Sequence, residues 1–199
     1  GVIARIVHSD VSLTSTILRL GNSARFNNAG PSTSDLKVAI GRIGLNALRQ
    51  ILATHAFSET FKVGADCPLD CKVFWRHSAM TAEIAYELAH KANRAMAADL
   101  QLAGILHDIG FLLLALAEPE ECKKIIDKAV STKNDFYTTE KNLGMTAHHS
   151  LSALVVKEWN IPQTVQILVE HHDVADDSLR SKFSPEIRTN IDILQLADM

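Results

Sequence analysis

An all-α fold is predicted by three features of this sequence. Apolar residues recur at intervals of three and four along most of its 199 residues, convincing alternation with a period of two is absent, and Pro, Ser and Gly fall where helices would start or stop. The stretch 11–25, VSLTSTILRLGNSAR, carries Leu13, Ile17, Leu18 and Leu20 at helical spacing. Pro31-Ser32-Thr33-Ser34 supplies a turn and an N-cap, so helices are expected at 34–41 and 44–58, parted near Gly41 and Gly44. Residues 62–72, KVGADCPLDCK, are rich in Gly, Pro and Asp. They predict a connector between an N-terminal helical lobe, 1–66, and a second lobe, 67–199, of one domain. Longer helices are expected at 73–93, 95–109, 119–132, 146–159, 162–172 and 185–198. Gly110 suits the end of the second of these and Pro162 the first turn of the fifth. Ser184-Pro185-Glu186 gives the last a cap, a proline at its first position and an acid in its first turn.

Hydrophobic residues make up 47% of the chain, enough to fill a core at this length. With 20 Lys and Arg against 23 Asp and Glu the formal charge is −3, and no run of like charges forms. That argues against direct binding to nucleic acid or an anionic membrane. The apolar run 102–115, LAGILHDIGFLLLA, is broken by His107 and Asp108 and reads as too short to span a bilayer. Residues 1–20 lack the basic start and apolar middle of a signal peptide, so a cytoplasmic location is expected. Cys67, Cys71 and Cys122 form an odd set with no second pair at zinc-finger spacing, and read as reduced thiols. A start without Met and an end at Asp198-Met199 without a helix stop predict a domain cut from a longer protein.

An unpaired buried carboxylate normally neutralises, finds a partner or holds a metal, which raises the question of what Asp108 meets inside its apolar run. On the expected helices His77 shares a face with Met80, Ile84 and Leu88, and His107 with Leu100, Ala103 and Gly104. His148 lines up with Leu151, Val155 and Trp159, His171 follows Ile167 and Leu168, and Asp198 extends the Ile187, Ile191, Leu194 stripe. Five helices thus aim a His or Asp inward, a route by which helical bundles build metal sites. Imidazole and carboxylate without thiolate favour Fe, Mn, Zn, Ni or Co over Ca or Mg. A metal-free network of imidazoles with Asp108 and Asp198 satisfies the same pattern. Adjacent residues on a helix point about 100° apart, so His107 and Asp108 need not serve one site. His171-His172 can also cap a helix C-terminus. His8, His55 and His90 fall in no such pattern.

The order His77, His107-Asp108, His148, His171-His172, Asp198 resembles the HD superfamily of metal-dependent phosphohydrolases. More narrowly, the chain resembles the HDOD domains (HD-related output domains) of bacterial signalling proteins. The segments that carry this are ILRLGNSARF (17–26), DLKVAIGRIGLNALRQI (35–51), FWRHS (74–78), LAGILHDIG (102–110), EKNLGMTAHH (140–149), KEWNIPQTV (157–165) and EHH (170–172). The resemblance implies an HD-like helical bundle with an N-terminal helical lobe, and a part in signal transduction through contacts with signalling proteins or other domains. Many HDOD members have lost HD residues and do not catalyse, whereas this chain keeps the series. Carried over by motif, His77, His107, Asp108 and Asp198 would hold one divalent ion. Asp108 would bridge to a second held by His148 and either His171 or His172. Trp159, eleven residues after His148, sets the register that selects His148 over His149.

Other positions depart from the catalytic relatives. Active HD-GYP phosphodiesterases have a Lys where this chain has Phe111, and no Gly-Tyr-Pro motif follows the paired histidines. Asp173, Asp176 and Asp177 would repel a cyclic dinucleotide. The resemblance therefore implies a regulatory module without efficient catalysis. The alternative is a metal-dependent phosphohydrolase using His107 and Asp108, with Arg76 as the cation nearest a motif.

Overall fold

The computed structural model describes residues 10–27, 30–61, 67–174 and 177–199. The chain divides into two compact units, Gly1–Phe61 and Lys62–Met199. His8, Asp176 and residues 62–66 of the expected connector lie outside the described residues.

In the first unit α1 (Val11–Gly21), α2 (Leu36–Ile43) and α3 (Leu45–Thr60) pack around Leu13, Ile17, Ala39, Ile43 and Leu48. Asp10 caps α1 by accepting from Leu13 N at 2.9 Å. The cap of α2 is Asp35, just beyond the expected run 31–34, because the Asp35 carboxylate reaches Lys37 N at 2.7 Å and Val38 N at 3.3 Å. α1 ends four residues earlier than expected. Beyond it the Asn22 side chain donates to Thr33 O and accepts from Thr33 N, both at 2.8 Å, which turns the chain back. His55, which fits no sequence pattern, pairs through Nε2 with Asp10 Oδ2 at 2.9 Å.

The second unit contains α4 (Cys71–Ala92), a 3₁₀ turn (Arg94–Met96), α5 (Ala97–Leu106), α6 (Ile109–Ala117), α7 (Pro119–Thr132), α8 (Phe136–Leu143), α9 (His148–Glu158), α10 (Gln163–His171), α11 (Asp177–Arg180) and α12 (Pro185–Asp198). No strand occurs among the described residues. α5 packs against α4, α10 and α12, while α9 packs against α6 and α10. The last helix has the expected bounds, with Ser184 accepting from Ile187 N and Pro185 in the first turn.

The buried face of α4 is not the expected stripe. Met80 and Ile84 are exposed, whereas Ser78, Thr81, Ala82, Ala85 and Ala89 are buried. Small side chains win that face because α5 lies so close: a Cβ on Gly104 would stand 2.5 Å from Ala82 Cα.

The helix expected at 95–109 is two helices, and the break falls at His107-Asp108, not at Gly110. Gly110 sits inside α6, where a Cβ would fall 2.3 Å from His148 O and 2.5 Å from Ser152 N. This glycine marks a close helix contact, and its N–H donates to Ser152 Oγ at 2.8 Å. Gly110→Ala must push α6 off α9, since both obstructing atoms are backbone. It is expected to destabilise the fold by about 3 kcal/mol, read as a shift in the urea midpoint.

Among the described residues Arg94–Ala117 is long and apolar enough to cross a membrane, which corrects the length argument made from 102–115 alone. Of its most apolar window 67% is buried within the fold, as in the core helix of a globular protein.

Candidate metal centre

The α5–α6 break makes the site possible. Asp108 has φ −101° and ψ 7°, so the chain bends there, and Asp108 occupies the N-cap of α6 without its side chain capping any N–H. Both carboxylate oxygens are thereby free to face histidines, and His107 and Asp108 turn toward one place despite being neighbours. α4 supplies His77, α9 begins with His148, His172 and Asp173 follow α10, and α12 ends on Asp198.

Asp108 stands between two groups of donors. Its Oδ2 lies 3.2 Å from His107 Nε2 and 3.7 Å from His77 Nε2. Asp198 Oδ1 closes that side at 2.8 Å from His77 Nε2 and 2.9 Å from His107 Nε2. On the other side Asp108 Oδ1 lies 3.3 Å from His148 Nε2 and 3.7 Å from His172 Nε2. Asp173 Oδ2 closes this second side at 2.9 Å from His148 Nε2 and 3.5 Å from His172 Nε2.

Hydrogen bonds on the far side of each ring fix which nitrogen faces inward. His107 Nδ1 donates to Gly104 O at 2.9 Å and His172 Nδ1 to Val169 O at 2.8 Å. His148 Nδ1 donates to Glu140 Oε2 at 2.9 Å. In the neutral rings each Nε2 therefore carries a lone pair, and all three lone pairs point at carboxylate oxygens. Lone pairs facing lone pairs require either protons or a cation between them. His172 Nε2 is buried with no hydrogen-bond partner, as an unfilled ligand position would be. Ligand bonds of about 2.1 Å set neighbouring donors about 3.0–3.4 Å apart, and the observed separations scatter around that value. The donor set thus fits a divalent ion.

Without an ion, protons satisfy the cluster. Burial opposes charge on His107, but Asp108 and then Asp198 overcome it and raise the pKa to about 10. His148 is likewise raised well above the usual imidazole value, against burial, by Asp108, Asp173 and Glu140. Burial also opposes ionisation of Asp108, yet His107, His148 and His172 hold its carboxyl well below the ordinary range. Asp173 and Asp198 are lowered in the same way by the imidazoles they face.

Of the residues singled out in the sequence, His77, His107, Asp108, His148, His172 and Asp198 come together, and His171 does not. The His171 ring packs against Phe183 with centroids 4.9 Å apart, and burial lowers its pKa. His149 also stays out, held to about 4 by burial and the neighbouring His148 and His172. Trp159 is exposed, and it is His148, not His149, that faces Asp108 and Asp173. Arg76 is exposed and does not line the cavity over the site.

Two members escaped the sequence reading. Asp173, read only as a repelling acid, belongs to the cluster. Glu140 is fully buried, and its Oε2 accepts from both the backbone N and the ring Nδ1 of His148. It stands in for the side-chain cap that Ala147 cannot provide at the start of α9. The sequence signal was a glutamate in a segment leading to a helix with no local cap.

A cavity of about 410 Å³ opens over the cluster. Its apolar wall includes Phe74, Phe111 and Phe136, with Phe111 and Phe136 stacked at 4.7 Å between centroids. Its polar lining is His77, His148 and five aspartates, with no Lys or Arg among the described residues.

The second unit is a helical bundle with a His/Asp cluster at the bend between α5 and α6. The chain belongs to the HDOD domain family, whose profile matches residues 1–175. An HDOD domain protein of unknown function from Geobacter sulfurreducens is similar in structure, with a TM-score of 0.80 and 23% identity, covering 98% of this chain and 63% of that one. A Shewanella amazonensis protein provisionally named a metal-dependent phosphohydrolase gives a TM-score of 0.59 at 20% identity, covering 98% of this chain and 66% of that one. An uncharacterized protein of Treponema pallidum (strain Nichols) is 25% identical over 171 residues, or 85% of this chain. This chain spans only 33% of the length of that Treponema relative.

Proposed function

We propose that this domain is a regulatory module that signals through contacts with other proteins or domains, in a bacterial cytoplasm, and uses a divalent ion to tie its helices together. His77, His107, Asp108 and Asp198 would hold one ion, and Asp108, His148, His172 and Asp173 could hold a second. Fe, Mn, Zn, Ni or Co suits this donor set. When bound, such an ion supplies Lewis acidity toward water or a phosphoryl oxygen. The residues of this chain give little help to that chemistry. The observation that carries the regulatory reading is a cavity lining with no Lys or Arg among the described residues, in which Asp70 and Asp135 add negative charge beyond the carboxylates that would hold ions. Phosphoryl transfer needs positive charge beside the scissile group, and in this cavity the ions alone would supply it. Phe111, where active relatives have Lys, is buried against Phe136.

A second reading, a metal-dependent phosphohydrolase, is favoured by one feature. The His77 side chain remains 40% exposed at the open cavity, so the donors are reachable from solvent. Assays of the protein with nucleotides, cyclic nucleotides and generic phosphate esters in Mn²⁺, Fe²⁺, Mg²⁺ and Ni²⁺ decide between the two. The regulatory reading expects no turnover above that of Asp108→Ala, and metal-dependent turnover lost in that variant would establish the hydrolase.

Glu140 gives a further expectation. Glu140→Gln keeps the volume but places an amide against the His148 N–H groups, and should weaken ion affinity by about 10–100-fold in calorimetric titration. Unchanged affinity would mean that the Glu140–His148 pair serves only the fold.

A further inference from the structure

The cavity over the cluster extends past the ion donors onto a wall that metal binding does not use. Phe74, Phe111 and Phe136 give that wall three aromatic rings, and Val73 lines it with them. Val73 is 48% exposed and Phe136 40% exposed, although both line a concave space of about 410 Å³. That volume falls in the range of small-molecule sites, about 300–1,000 Å³. Apolar surface left uncovered inside such a space is what a bound apolar body would cover. The same cavity is lined by Asp70 and Asp135, exposed carboxylates at the N-caps of α4 and α8. Asp70 caps through Oδ1, which accepts from Lys72 N at 2.9 Å and Val73 N at 3.2 Å, and neither aspartate belongs to the ion cluster.

We propose that this cavity binds a small organic cation, an ammonium or guanidinium carried on an apolar body, and that this ligand is the signal the module reads; the second half rests on the regulatory reading above. The body would lie against Phe74, Phe111 and Phe136, with the charged head toward Asp70 and Asp135. An aromatic face carries negative potential, so these rings attract a cation and disfavour an anion. The two capping carboxylates act in the same direction, and no Lys or Arg among the described residues lines the cavity to oppose them. Asp108, Asp173 and Asp198 are committed to imidazoles or ions, so Asp70 and Asp135 are the charge left for a ligand. Phe74 sits on α4, Phe111 on α6 and Phe136 at the start of α8, so one occupant would touch three helices and stabilise the arrangement it binds.

The test titrates phenethylammonium into the whole chain, with backbone amide NMR shifts as the readout, beside two probes of nearly the same shape: neutral phenethyl alcohol and anionic hydrocinnamate. The cation should bind saturably with a Kd in the millimolar range or below, and should move the amides of Val73, Phe74, Phe111 and Phe136. The alcohol should bind about tenfold more weakly, having lost the attraction of the rings and of both carboxylates. Hydrocinnamate should not saturate by about 10 mM. Asp70→Asn combined with Asp135→Asn keeps both caps, since Asn caps a helix as well as Asp does, and should weaken the cation about fivefold while leaving the alcohol unchanged. The proposal is overturned if the cation fails to saturate by about 10 mM, if the alcohol or hydrocinnamate binds as tightly as the cation, or if the double variant keeps wild-type affinity. None of these readouts involves turnover. Hydrolysis of a phosphate ester would therefore overturn the regulatory reading alone, and absent cation binding would overturn this proposal alone.

Discussion

Asp108→Asn is expected to abolish divalent-ion binding on both sides of the cluster at once. The reason is geometric: Oδ2 faces His77 and His107 while Oδ1 faces His148 and His172, so one side chain serves both groups through separate atoms. The loss in affinity should exceed the about 10–100-fold typical of substitutions behind a ligand. Asp198→Asn should weaken chiefly the His77 and His107 side. The ion-free protein should also lose about 3 kcal/mol, because two buried imidazoles lose the charge that sustains their protonation. Elemental analysis of protein purified without a metal-affinity resin, together with urea unfolding, reads both effects. Wild-type metal content in the Asp108→Asn protein would sink the assignment.

The second large effect is on pH dependence, and it has opposite signs with and without the ion. In the ion-free protein the folded pKa of His107, about 10, lies above its unfolded value of about 6.5. Its contribution to stability is therefore complete below about pH 6.5 and is lost as pH rises toward 10. Asp108, Asp173 and Asp198 are depressed in the fold, so their contribution is present above about pH 3.9 and lost as pH falls further. His149, held to about 4 in the fold by burial, costs stability as pH falls below its unfolded value of about 6.5, so ion-free stability should peak at about pH 6.5 and fall on either side. A divalent ion competes with the imidazole protons, so its binding strengthens as pH rises. The gap between unfolding midpoints with Mn²⁺ and with chelator should widen from about pH 6 to about pH 8. A gap that narrows over that interval would contradict the assignment of the Nε2 atoms as ligands.

Much of this architecture was legible one helix at a time. The all-α class, the bounds of α12 and the inward placing of His107, Asp108, His148 and Asp198 follow from spacing, caps and the cost of buried charge. What spacing misplaced or left open shares one cause. The face of α4, the role of Gly110 and the choice of His172 over His171 each depend on how close a second helix comes, and spacing along one helix carries no such distance. α8 escaped notice because its eight residues, FYTTEKNL, show little apolar repeat. With it went Glu140, whose partner His148 lies on another helix.

The amino-acid sequence by itself determined that this chain folds into helices and that imidazoles and carboxylates sit on their inner faces, since propensity, capping and apolar spacing act within a few residues. Only the tertiary structure decided that the chain bends at Asp108 and that Asp173 and Glu140 join the cluster. Those outcomes depend on close approach between segments, and short-range pattern does not encode them.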